Sequence, residues 1–123
     1  MIHLLDLNLT AAELVAFHML VLSFLHFVGD FALQIDKMAI NKGSSFKWLT
    51  IHVATYSAAF MIVFGWQFAV INFVLHWMTD AVTSRISGAF NKAGNIRMFF
   101  ATIGFDQFIH MACLIVTYVI LFV

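Results

Sequence analysis

The chain has 123 residues, 63% of them hydrophobic and 10% charged, with fifteen Phe and no Pro. A soluble domain of this length could not bury so much apolar surface, so the composition points to a polytopic membrane protein of about four spans, at roughly 20 residues each. A formal net charge of zero and no basic arm give no expectation of nucleic-acid binding, and the single cysteine, Cys113, excludes an intramolecular disulfide and a cysteine-rich metal site.

Residues Met1 to Leu9 alternate apolar and polar and are expected at the membrane surface. No basic residue precedes the first apolar run, Lys37 being the first, so that run is expected to stay as a span rather than be cleaved. Thr10-Ala-Ala-Glu13 has the form of a capping box and opens a first helix over about 11–34. A polar stretch, Asp36 to Lys47, turns at Gly43-Ser44-Ser45. A second helix covers about 46–64, with Trp48 where an interfacial aromatic belongs. Gly65-Trp66-Gln67 reads as a short uncharged turn, followed by a third helix over about 68–86. A second polar stretch, Ser87 to Arg97, leads to a last helix over about 98–123. The expected fold is an all-α polytopic four-helix membrane bundle in a single domain.

Lys37, Lys42, Lys47, Arg85, Lys92 and Arg97 all fall on the two loops that share one side of such a bundle. The positive-inside rule makes those loops cytoplasmic and puts both termini outside. The two halves also match at an offset of about fifty residues. Leu25-His26 pairs with Leu75-His76, Asp30 with Asp80, and Asn41-Lys42 with Asn91-Lys92. This internal repeat predicts two tandem helical hairpins in parallel orientation.

Three pairs carry the chemistry: His26-x-x-x-Asp30, His76-x-x-x-Asp80 and, reversed, Asp106-x-x-x-His110. Four residues is about one helical turn, so each pair shares a helix face. In the expected topology every pair places Asp nearer the cytoplasm and His a turn deeper, and His52 falls in the same layer. Ionisable groups in a membrane turn inward toward partners or a cavity. Carboxylate and imidazole are ordinary ligands for zinc, manganese or iron, and helical bundles supply them from facing helices. The expected metal ligands are therefore His26, Asp30, His52, His76, Asp80, Asp106 and His110. Gln34 and Gln107 are expected to orient them, and Arg85 and Arg97 to meet a phosphate. His3 and His18 read as packing residues.

His26-x-x-x-Asp30-Phe-x-Leu-Gln34, His52, His76-x-x-x-Asp80 and Asp106-Gln107-x-x-His110 together resemble a family of small bacterial and phage integral membrane proteins of unknown function. The resemblance covers nearly the whole chain and implies a four-helix protein of the bacterial inner membrane. More distantly, the His/Asp pairs are similar to those of membrane-bound metal-dependent hydrolases. The expected function is hydrolysis of a lipid or phosphoester on the cytoplasmic side, with a divalent metal and with Asp80 as a candidate catalytic base. The rival expectations are a divalent-cation or proton transporter, alone or as a homo-oligomer, and a non-catalytic adaptor in a larger membrane complex whose metal is structural.

Overall fold

In a computed structural model, which describes residues 10–123, the capping box opens the first helix as its sequence requires. The Thr10 backbone N–H donates to Glu13 Oε2 at 2.8 Å, and the Glu13 N–H donates to Thr10 Oγ1 at 3.3 Å. Helix α1 runs Ala11–Phe27 and continues into a π-helical turn, Val28–Ala32. Short helix α2 follows at Asp36–Asn41, then α3 at Phe46–Phe64, α4 at Trp66–Lys92 and α5 at Ile96–Phe122. The chain is all-helical, with no strand among the described residues. The segment Met1 to Leu9, expected at the membrane surface, and with it His3, lies outside them.

Several bounds differ from the sequence expectation: α4 starts at Trp66, so Trp66 and Gln67 of the expected turn are helical, and α5 starts at Ile96. The first helix breaks at the π turn, and α2 forms inside what reads as loop. Helix α4 continues through Ser87 and Gly88 to Lys92, so most of the second polar stretch is helical. Polar residues at a helix end do not stop a helix. Gly94, with φ +73°, makes the turn into α5, and the Asn95 side chain caps it by accepting from the Met98 N–H.

A single residue, Gly65, joins α3 to α4 at φ +89°, a conformation that L side chains rarely adopt. Among the described residues nothing lies within 4 Å of the position a Cβ would take there. Gly65→Ala is therefore expected to cost about 1–3 kcal/mol through backbone strain alone. Gly88→Ala, on open helix surface, is expected to cost nothing. Thermal unfolding of the two variants in detergent checks the contrast.

Helix α1 lies against α3 and α5, and α4 also lies against α3 and α5. The buried apolar core is largely aromatic, with Tyr56, Phe60, Phe64, Phe68 and Tyr118 joined by Leu22 and Leu114. The outer surface is apolar too: Phe24 is 64% exposed, Ile62 84%, Phe108 67% and Ile120 74%. By contrast the interior holds His26, Asp30, His52, His76, Asp80 and His110, all buried. Apolar groups outside and ionisable groups inside is the pattern lipid selects. Three helical stretches, Ala11–Ala32, Phe46–Phe64 and Ile96–Phe122, are long and apolar enough to cross a membrane, which is consistent with an integral membrane protein.

Candidate metal centre

The three His/Asp pairs and His52 converge in one buried layer. From the π turn comes Asp30, from α3 His52, and from α4 His76 and Asp80. His52 Nε2 stands 3.0 Å from Asp30 Oδ1, 3.4 Å from Asp80 Oδ2 and 3.3 Å from His76 Nε2. His76 Nε2 is 3.5 Å from Asp30 Oδ1 and 3.4 Å from Asp80 Oδ2. All four ligand atoms lie within 4.8 Å of one another. With metal–ligand bonds of about 2.0–2.2 Å, a regular tetrahedron has edges of about 3.3–3.6 Å. The five separations match that edge closely enough for one small divalent ion to fit among these atoms.

Aspartate 30 owes its position to an irregular backbone. Gly29 packs directly on α3, where an added Cβ would stand 2.8 Å from Tyr56 Cδ2 and 3.2 Å from Tyr56 Cα. The π turn widens the helix at this contact and carries the Asp30 carboxylate toward His52. Stacking fixes the rings. His76 lies parallel to His110 with centroids 3.9 Å apart, and Tyr56 covers it at 4.0 Å. The Nδ1 atoms of His52 and His76 have no hydrogen-bond partner among the described residues, so packing rather than a second hydrogen bond orients both imidazoles.

A second group, Asp30, Asp106 and His110, adjoins the first. His110 Nε2 is 3.0 Å from Asp80 Oδ1 and 3.2 Å from Asp106 Oδ2. Thr83 donates to Asp106 Oδ1 at 2.5 Å. Gln107 ties the carboxylates together, its Nε2 donating to Asp30 Oδ2 at 2.9 Å and to Asp106 Oδ2 at 3.1 Å. Its Oε1 lies 2.6 Å from His26 Nε2, while Tyr56 OH lies 3.2 Å from His26 Nδ1. Both ring nitrogens of His26 are thus occupied, and His26 belongs to neither ligand group. The sequence spacing makes it a ligand; the structure makes it a partner of Gln107 and Tyr56. Gln34 lines the cleft described below, and its buried Oε1 has no partner among the described residues, so it orients no ligand here.

Three residues at the site escape the sequence reading. Lys42 Nζ lies 3.0 Å from Asp80 Oδ2, delivered by a loop in which Gly43 passes close to the Ser84 carbonyl. Burial disfavours its ammonium, but the carboxylates of Asp80 and Asp30 outweigh that and raise its pKa above the ordinary lysine value. The recurrence of Asn41-Lys42 as Asn91-Lys92 was the available signal. Tyr56 follows His52 by one helical turn, and Gly29 precedes Asp30; both stand beside a motif residue without carrying ligand chemistry.

The layer opens at one end into a cleft of about 800 Å³ whose walls include Asp30, Asp80 and Asp106 together with Lys42, Arg85 and Lys92. The Arg85 guanidinium lies over the Phe46 ring, 4.6 Å from its centroid. Arg97 is exposed and is not among the cleft residues. On the opposite side the layer abuts the aromatic core, beyond which His18 Nδ1 meets Tyr118 OH at 2.6 Å. That pair is separate from the cluster. Tyr118→Phe is expected to lower stability by about 1–3 kcal/mol by leaving a buried ring nitrogen unpaired, with metal content unchanged; unfolding and elemental analysis of the same preparation check both.

Fold and site together define a helical protein with candidate membrane spans and a buried His/Asp cluster that could hold a metal ion. The chain belongs to the family of proteins of unknown function DUF3307, whose model matches residues 15–123. No curated protein and no solved structure matches it.

Proposed function

We propose that this protein is a membrane-embedded, divalent-metal-dependent hydrolase of a lipid or phosphoester substrate. One observation carries the reading: four buried ligand atoms, from Asp30, His52, His76 and Asp80, at tetrahedral spacing beside an open cleft. A purely structural metal would have a closed ligand set and no substrate cavity; here Asp30 and Asp80 line the cleft, so a hydrolytic ion would take its water as a further ligand on that side, or in place of one carboxylate. A conduit would need a polar way out on both sides, and the aromatic core weighs against one.

In this reading α4 is the fourth span of a four-helix bundle. Its length of 27 residues equals that of α5, and its buried polar residues include His76, Asp80 and Thr83 at the site. Both termini are outside, the basic loops and the cleft are cytoplasmic, and the membrane is the bacterial inner membrane. The offset repeat makes the bundle two tandem hairpins, the first modified by the π turn and α2.

A bound divalent ion supplies Lewis acidity toward a phosphoryl or acyl oxygen. Lys42 and Arg85 bind and orient an anionic group in the cleft. By its contacts Asp106, rather than Asp80, is the candidate base. Asp80 is engaged by His52, His76, His110 and Lys42, whereas Asp106 is held only by Thr83, Gln107 and His110. Release of product from a panel of lipid and soluble phosphoesters and carboxylesters tests the activity. It is expected in metal-loaded wild type, absent in His76→Ala and retained in Tyr118→Phe. Equal release by all three, or none from any substrate by metal-loaded wild type, would count against hydrolysis.

A further inference from the structure

Between α4 and α5, on the outer surface, runs an apolar groove of about 550 Å³. Met78, Val82, Ile86 and Phe105 line it and are all exposed. It is not isolated from the site. Thr83 and Thr102 line both this groove and the polar cleft, and Thr83 reaches Asp106 through its hydroxyl. The charge of the cleft also has a definite sign. Its three carboxylates, Asp30, Asp80 and Asp106, are matched by Lys42, Arg85 and Lys92. A divalent ion on the cluster then leaves an excess of positive charge, which favours an anion. Lys42 and Arg85 are the types of side chain that recognise phosphate.

We infer that the site takes a phosphate-bearing amphiphile, with its phosphate in the basic cleft and its hydrocarbon chain in the α4–α5 groove. The inference rests on the proposed metal centre for the charge of the cleft and narrows that reading to one substrate class. Access is lateral, from the bilayer, because the groove faces outward while the cleft faces the helix ends. A chain lying in the groove gains little from leaving water, since lipid already covers this surface. Selectivity therefore comes from the phosphate, and the groove decides which molecules can present one while remaining in the membrane.

The test uses the full chain reconstituted in phosphatidylcholine vesicles with hexadecyl phosphate that bears a photoreactive diazirine on its alkyl chain. Cross-links mapped by mass spectrometry are expected to concentrate on Val82, Ile86 and Phe105, and to fall several-fold with excess unlabelled hexadecyl phosphate and in Arg85→Gln. The same probe made from hexadecanol is expected to label the outward faces of all helices evenly. Even labelling by the phosphate probe, or an identical pattern from the alcohol, would overturn the inference. Inorganic phosphate competing as well as hexadecyl phosphate would overturn it too, in favour of a free anion. Metal analysis of the same sample separates the two readings. Bound metal with even labelling overturns the amphiphile alone, whereas selective labelling without metal overturns the metal centre and leaves amphiphile binding standing.

Discussion

Asp80→Asn is expected to abolish metal binding and to lower the stability of the protein by about 3–5 kcal/mol, the usual cost of removing one partner from a buried charge network. The carboxylate is the hub of the layer. Its Oδ2 faces Lys42 at 3.0 Å and both His52 and His76 at 3.4 Å, and its Oδ1 faces His110 at 3.0 Å. An amide keeps the shape but loses the charge that Lys42 needs, and its NH₂ confronts nitrogen atoms that would then lack an acceptor. Half-buried Lys42, whose side chain is 17% exposed, is left as an uncompensated cation. Chemical unfolding in detergent and elemental analysis measure the two effects. A stable Asp80→Asn variant that retained its ion would show that another carboxylate holds the layer together.

Gly29→Ala is the second large effect, with an expected loss of about 1–3 kcal/mol from overpacking and a weaker metal affinity. The new methyl would meet the Tyr56 backbone as well as its ring, so no side-chain rotation relieves it. Either the π turn or α3 must move. The π turn carries Asp30, and Tyr56 on α3 covers His76 and meets His26, so either shift disturbs the ligand layer. Gly104→Ala is the control: nothing among the described residues lies within 4 Å of the added carbon, and replacing a helical glycine by alanine is favourable by up to about 1 kcal/mol. Unfolding midpoints and metal dissociation constants for the two variants should therefore move in different ways. Equal behaviour would mean that the Gly29–Tyr56 contact is not tight.

Much of this site was legible in the sequence because its information is local. A His and an Asp four residues apart share a helix face wherever the helix goes, and three such pairs within apolar runs have few other uses. What the spacing could not carry is the register between helices. His26 has the same local pattern as His76, yet Gln107, which follows Asp106 directly on α5, lies against its Nε2. Lys42 looks like a loop residue that sets topology, and it reaches Asp80 only because a glycine beside it tolerates close approach to α4. The π turn depends on Gly29 fitting against Tyr56, twenty-seven residues away in sequence, and no local propensity announces it. The end of α4 was misplaced for a simpler reason: Ser87 to Lys92 has the composition of a loop, but nothing in it breaks a helix before Gly94.

On the proposed reading, Asp30, His52, His76 and Asp80 hold a metal ion. Metal content per chain, by elemental analysis of gently purified wild type and His76→Ala, tests it most directly. At least one divalent ion is expected per wild-type chain, and its loss from the variant. Wild type that stays free of metal after reconstitution with zinc, manganese and iron, or a His76→Ala variant that keeps a full complement, would contradict it.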